Sequence, residues 1–203
     1  MTTPFREGRF ANVAGAVLTG GASSRMGRDK AVLAIDGVAC ATRVAQRLAV
    51  HCEEVVLVGG QPPPDAPGRR VADVDGPQCA LRGLVGALVA SSAERVLVVA
   101  TDVPYVNDAL LLALIAWPDA DAVVPRNDAG VHALCAIYRR EAVLGVARRH
   151  LAAERLAMRA LLDAVETRYL AGSDLAAVDP DGRALQNLNT PADVARAERH
   201  SDG

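Results

Sequence analysis

Residues Val13–Leu18 read VAGAVL, and the stretch that follows, Thr19–Lys30, reads TGGASSRMGRDK. The first run carries no charge and no polar side chain, as expected of a strand covered on both faces. Glycines at 20, 21 and 27 then let the main chain turn sharply and pass close to a ligand. In open α/β sheets, ligands collect beyond the carboxyl ends of strands. A buried strand running straight into a glycine-rich, cationic loop therefore sets the fold and locates the candidate site together.

Working outward from this stretch, short apolar runs alternate with Ala- and Leu-rich amphipathic segments. Helices are expected over 39–50, 81–91, 107–117, 141–150, 156–165 and 191–199. Strands are expected over 54–58, 70–72, 95–100, 122–125 and 168–170, with an apolar run at 133–138. The loop GGQPPPDAPG after the second strand excludes regular structure through its Pro and Gly content. This order predicts an α/β fold of three layers, a mostly parallel sheet with helices on both faces. No internal repeat or long linker divides the chain, so residues 1–203 are expected to form one domain, with 1–11 and 200–203 as flexible ends.

The composition narrows the function classes. Of the 203 residues, 51% are hydrophobic, enough for a packed core. The net charge of −2 and the lack of a Lys/Arg run argue against a nucleic-acid footprint. Aromatic residues are only 3%, too few for stacking platforms. Cys40, Cys52, Cys79 and Cys135 form no C-x-x-C pair and read as small buried residues of a reduced compartment rather than zinc ligands. The N-terminus MTTPFREGRF lacks a signal-peptide core, and no stretch reaches membrane-spanning length. A cytoplasmic setting, with no membrane partner, is the expectation.

The loop supplies what a triphosphate needs. Backbone N–H groups near Gly20 and Gly21 can face phosphate oxygens, Ser23 and Ser24 add hydroxyls, and Arg25, Arg28 and Lys30 add positive charge. Two better-known phosphate loops fail on spacing. Gly20 and Gly21 are adjacent, so G-x-G-x-x-G is absent, and the residues after Gly27 are Arg-Asp-Lys rather than Lys-Ser or Lys-Thr.

A second feature follows the strand RVLVVA, which runs into Thr101-Asp102-Val103-Pro104. A carboxylate there points into the ligand crevice, and Mg2+ favours one or two carboxylates with phosphate oxygens and water. Asp102 is the candidate metal ligand. It lies too far upstream to cap the next helix, for which Asn107 or Asp108 is better placed.

TGGASSRMGRDKAVLAIDG resembles the signature L-A-G-G-x-S-x-R-M-G-x-D-K of nucleotidyltransferases, and most closely that of the molybdenum cofactor guanylyltransferase family. Thr19 stands where Ala is usual. The acidic-x-Pro turn at Asp102 matches as well. The segment from Asp73 to Leu84, with ALRG where P-L-A-G is usual, matches more loosely and also reads as a plain turn and helix start. Leu185–Asp193 (LQNLNTPAD) resembles the closing N-x-N-T-P-x-D/E segment. Its Thr190, Pro191 and Asp193 also suit a helix start, whereas Asn187 and Asn189 would share one side of an extended segment. His132 precedes Ala rather than the usual Pro and reads as structural.

The resemblance implies a Rossmann-like nucleotidyltransferase fold and transfer of GMP from GTP to the molybdopterin-bound molybdenum cofactor, with molybdoenzyme-maturation proteins as partners. It implies nucleotide binding by Leu18, Thr19, Gly20, Gly21, Lys30, Asp73 and Asp102, and Mg2+ on Asp102. Arg25 and Lys30 would neutralise pyrophosphate, and Asn187 and Asn189 would meet the acceptor. Val58 falls near the Asn that often reads guanine in the family. A CTP-using relative, a sugar-1-phosphate acceptor or a non-catalytic nucleotide-binding module are the other readings.

Overall fold

The computed structural model describes residues 5–6, 9–20, 33–117, 119–188 and 193. In chain order the elements are β1 (Phe5–Arg6), β2 (Arg9–Leu18), β3 (Ala34–Ile35), β4 (Val38–Ala39), α1 (Cys40–His51), β5 (Cys52–Val58), β6 (Arg69–Val71), α2 (Ala80–Ala90), β7 (Arg95–Ala100), α3 (Asp108–Ile115), β8 (Ala122–Asn127), β9 (Gly130–Val131), β10 (Cys135–Arg139), α4 (Arg140–Ala152), α5 (Met158–Leu162), β11 (Thr167–Leu170) and α6 (Gly172–Ala176).

The sheet path is β11-β8-β10-β7-β2-β5-β6. β2 is parallel to both neighbours, with Leu18 level with Val58 on one side and with Ala100 on the other. The chain therefore leaves three adjacent strands at the same edge, which is where the ligand loops must converge. β10 alone reverses within this path, lying antiparallel to both β7 and β8. The mostly parallel three-layer α/β expectation holds.

Alternation along the central strands builds two cores. Val13 and Val17 of β2, with Leu97 and Val99 of β7, face α1 and α3 through Val44, Leu48, Leu110 and Leu114. Ala16 and Leu18, with Val96 and Val98, face α2, α4 and α5 through Leu84, Leu88, Val143 and Leu161. Gly15 permits the close approach of α1, because a Cβ there would lie 2.9 Å from Leu48 Cβ. Asn107 caps α3, its side chain accepting from Leu110 N–H at 2.8 Å. At the other end of that helix, buried Arg95 donates to the carbonyl oxygens of Leu114, Ile115 and Trp117.

Several boundaries differ from the sequence expectation. β2 starts at Arg9 rather than Val13, and Phe5–Arg6 folds back on it, so residues 9–11 belong to a strand and not to a flexible end. Asn12 explains the misreading. It sits at φ +63 where the register against β5 shifts, a bulge that interrupts the apolar alternation. α5 is confined to Met158–Leu162, and α6 forms where no helix is expected from the sequence. The expected helix 191–199 lies outside the described residues apart from Asp193, which is helical.

Candidate active site

Two clefts open at the carboxyl edge of the sheet and meet at Asp102. The first encloses about 270 Å³ between the ends of β2 and β7 and the start of α2, with Leu18, Thr19, Gly20, Asp73, Arg82 and Asp102 in its wall. The second, about 230 Å³, lies on the other side of Asp102, against His132, Leu134, Met158 and Asn187. Among the described residues, only Asp102 and Leu134 line both.

The strand ends place these groups in a row. Asp102 follows β7, Thr19 and Gly20 follow β2, Gly59 follows β5, and Asp73 follows β6. Main-chain bonds lock the row together. The N–H groups of Thr19 and Gly20 both donate to Val58 O, at 3.0 and 3.2 Å, and Gly59 N–H donates to Val71 O at 2.9 Å. Thr19, where Ala is usual in the resembling signature, is buried and directs its hydroxyl at the carbonyl oxygens of Val58 and Gly59. One expectation needs correcting here. Gly20 N–H is occupied by Val58 rather than facing the cleft, so Gly20 offers close backbone approach and not the anticipated phosphate donor.

Asp73 is held at the far end of the first cleft. Arg82 Nη2 donates to its Oδ2 at 3.0 Å, and Arg82 Nη1 donates to Gly76 O at 3.1 Å. Gly59, at φ +69, leaves room for this carboxylate, since a Cβ there would lie 2.5 Å from Asp73 Oδ2. Sequence reasoning assigned Arg82 no role. A signal was present, because a cation in the first turn of a helix opposes the helix dipole and calls for a local anion.

On the second side, burial holds His132 below the ordinary imidazole pKa, while the negative charges of Asp102 and Asp179 pull it upward. Its Nε2 lies 2.9 Å from Asn127 Oδ1, an acceptor, so that nitrogen carries the proton. This agrees with a structural His132 that also walls the cleft. Asn187 is exposed on the same cleft and is brought to Asp102 by the next residue, whose N–H reaches Asp102 O.

The structure thus brings together Leu18, Thr19, Gly20, Asp73, Asp102 and Asn187. Gly21, Ser23, Ser24, Arg25, Arg28, Lys30, Asn189, Thr190 and Pro191 lie outside the described residues. Three of the four cysteines are buried as expected, but Cys79 is half-buried and lines the first cleft, because it is the residue from which α2 starts. Among the described residues, no group of three or more His, Cys, Asp or Glu gathers to cage a metal, and no helix is long and apolar enough to cross a membrane.

Residues 15–175 match the family model described as MobA-like NTP transferase domain. The chain is 30% identical over 191 residues to a molybdenum cofactor guanylyltransferase of Desulfosudis oleivorans, covering 92% of this chain and 94% of that protein. It is 34% identical over 194 residues to a probable molybdenum cofactor guanylyltransferase of Chloroflexus aggregans, covering 90% and 91%. Its fold superposes on the crystal structure of molybdopterin-guanine dinucleotide biosynthesis protein A from Archaeoglobus fulgidus with a TM-score of 0.77 at 22% identity, covering 93% and 98%. By its sequence matches, the chain belongs to the molybdenum cofactor guanylyltransferase family and carries a MobA-like NTP transferase domain.

Proposed function

We propose that this protein transfers GMP from GTP to the terminal phosphate of molybdopterin-bound molybdenum cofactor, releasing pyrophosphate. The observation that carries this reading is the position of Asp102 as the one carboxylate, among the described residues, shared by two clefts. A nucleotidyl donor in the first cleft and a phosphorylated acceptor in the second would meet at that residue. An acceptor phosphate oxygen forms a bond to the α-phosphorus of GTP while the bond from that phosphorus to pyrophosphate breaks. Holding both groups at one point removes the entropic cost of their encounter, a large part of what such transfers need.

The donor set fits Mg2+. A single carboxylate at a strand end, open to both clefts, matches an ion that takes few protein ligands and fills its shell with phosphate oxygens and water. Asp102 would hold it, and the bound ion would supply charge stabilisation for the phosphate oxygens. Arg25 and Lys30 would offset the charge developing on pyrophosphate. Thr19 and Gly20 would hold the floor of the donor cleft, and Asn187 and Asn189 would orient the acceptor through their amides. A cytoplasmic setting, with molybdoenzyme-maturation proteins receiving the product, accords with this role.

Titration calorimetry with GTP, CTP, ATP and UTP in the presence of Mg2+ tests the reading. GTP is expected to bind tightest. Preference for CTP would overturn the choice of donor, and no binding of any of the four would overturn the enzyme reading altogether. Asp102→Ala should abolish Mg2+-dependent pyrophosphate release from GTP and molybdopterin while leaving the circular dichroism spectrum intact.

A further inference from the structure

The donor cleft has a charged end and an end that is neutral in sum. Asp102 marks the first, and the Arg82–Asp73 pair marks the second, on the far side of the ends of β2 and β5. Both members of the pair are mostly buried, with side-chain exposures of 19% for Arg82 and 24% for Asp73. Arg82 is already neutralised by Asp73 at 3.0 Å, so it is poorly suited to clamp a triphosphate. The protein does not use all of its hydrogen-bonding capacity. Arg82 donates to Asp73 and Gly76, and its Nε is buried with no partner among the described residues.

A donor beside an acceptor at this spacing matches the edge of a nucleobase, where acceptor and donor atoms also stand side by side. The order matters. A 6-keto purine offers a carbonyl oxygen next to an N–H, whereas a 6-amino purine offers an N–H next to a bare nitrogen.

We infer that Arg82 is a specificity-determining residue of the donor cleft, its guanidinium donating to the 6-keto oxygen of guanine while it holds Asp73 as acceptor for the adjacent N1–H. The inference rests on the reading of this cleft as the GTP site. Side-chain hydrogen bonds to base edges discriminate between bases, and a cleft built to hydrogen-bond a group rejects analogues that lack it.

The test uses 6-thio-GTP, which keeps N1–H and the 2-amino group and replaces the keto oxygen with a weak acceptor. Affinities for GTP and 6-thio-GTP are measured by calorimetry on the full chain with Mg2+. The wild type should bind GTP roughly tenfold more tightly than 6-thio-GTP, the range of one charge-assisted hydrogen bond. Arg82→Met should weaken both nucleotides by freeing Asp73 and weaken GTP by that further factor, bringing the ratio close to one. Arg82→Gln, which retains an amide donor and guards against a folding defect in the first variant, should keep part of the ratio. Equal weakening of both nucleotides would mean that Arg82 only positions Asp73, and unchanged GTP binding would mean that it touches nothing; either overturns the inference. A wild type that prefers CTP would instead overturn the GTP reading, a result visible before any variant is made.

Discussion

The main-chain N–H of Leu188 donates to the carbonyl oxygen of Asp102 at 2.7 Å. The closing part of the chain is thereby fastened to the strand end that carries the candidate metal ligand, and Asn187 is set in the wall of the second cleft. Asn187→Ala should raise KM for the acceptor roughly tenfold, the loss of about one or two hydrogen bonds, and leave the Kd for nucleotide unchanged. Steady-state kinetics with each substrate varied, alongside calorimetry, checks the split. A rise in nucleotide Kd of the same size would place Asn187 on the donor side instead.

Gly59→Ala should damage donor binding from outside the cleft lining. The left-handed backbone at φ +69 strains any side chain, and the new Cβ would press on the Asp73 carboxylate. The strain alone costs about 1–2 kcal/mol, readable in urea denaturation. Nucleotide affinity should fall with it, because the Asp73 carboxylate must shift from its place in the cleft. Full retention of affinity would show that Asp73 has no part in holding the base.

Cys79 gives a chemical readout of cleft occupancy. Burial pushes the Cys40 thiol up to about 11 and those of Cys52 and Cys135 up to about 12, so these three form little thiolate at neutral pH. Cys79 is half-buried and lines the first cleft. A maleimide reagent should therefore add close to one equivalent to the folded protein, at Cys79, as mass spectrometry of the digest would show. Saturating GTP with Mg2+ should slow that addition. Labelling at an unchanged rate would mean that the nucleotide leaves Cys79 uncovered.

The acid side of the stability curve should depend on Asp108. Burial alone would raise its pKa, but the hydrogen bond from His51 and the charge of Arg47 outweigh that and hold it below the ordinary carboxylate value. A carboxyl lowered in the folded state stabilises fully above its unfolded pKa, and the contribution disappears as pH falls through the folded value. Asp108→Asn should lower the melting temperature at neutral pH and narrow its gap to the wild type below about pH 4. A gap that stays constant across that range would refute the assignment. The loss should be small, because the Asp108 side chain is 46% exposed and solvent screens the pairs.

Much of this architecture is legible in the sequence, and the failures have local causes. RVLVVA is apolar and bounded by charge and turn, so β7 is readable to the residue. α1 falls within one residue of its expected span. The start of β2 is hidden in the sequence because the Asn12 bulge breaks the alternation. The β3–β4 hairpin carries Asp36-Gly37, both at positive φ, a short-range turn signal that was there to be used. At the site, strand-end placement made Asp102 recoverable, whereas Asp73 came from the resemblance alone. Arg82 was not recoverable, since its importance comes from an ion pair between two elements that only the fold brings together. Gly20 shows the converse, a plausible donor whose N–H the neighbouring strand had already taken.

The meeting of the two clefts at Asp102 also divides the chain by inheritance. Among the described residues, and apart from Leu134, the wall of the first cleft comes from residues up to Asp102, and the wall of the second comes from Asp102 onward. With the donor and acceptor placed as proposed, substitutions after that residue would reshape which acceptor is taken while the apparatus for the nucleotide is left alone. Such a chain is suited to diversification by recombination near its middle, with one half kept as a common engine and the other exchanged to serve a new recipient.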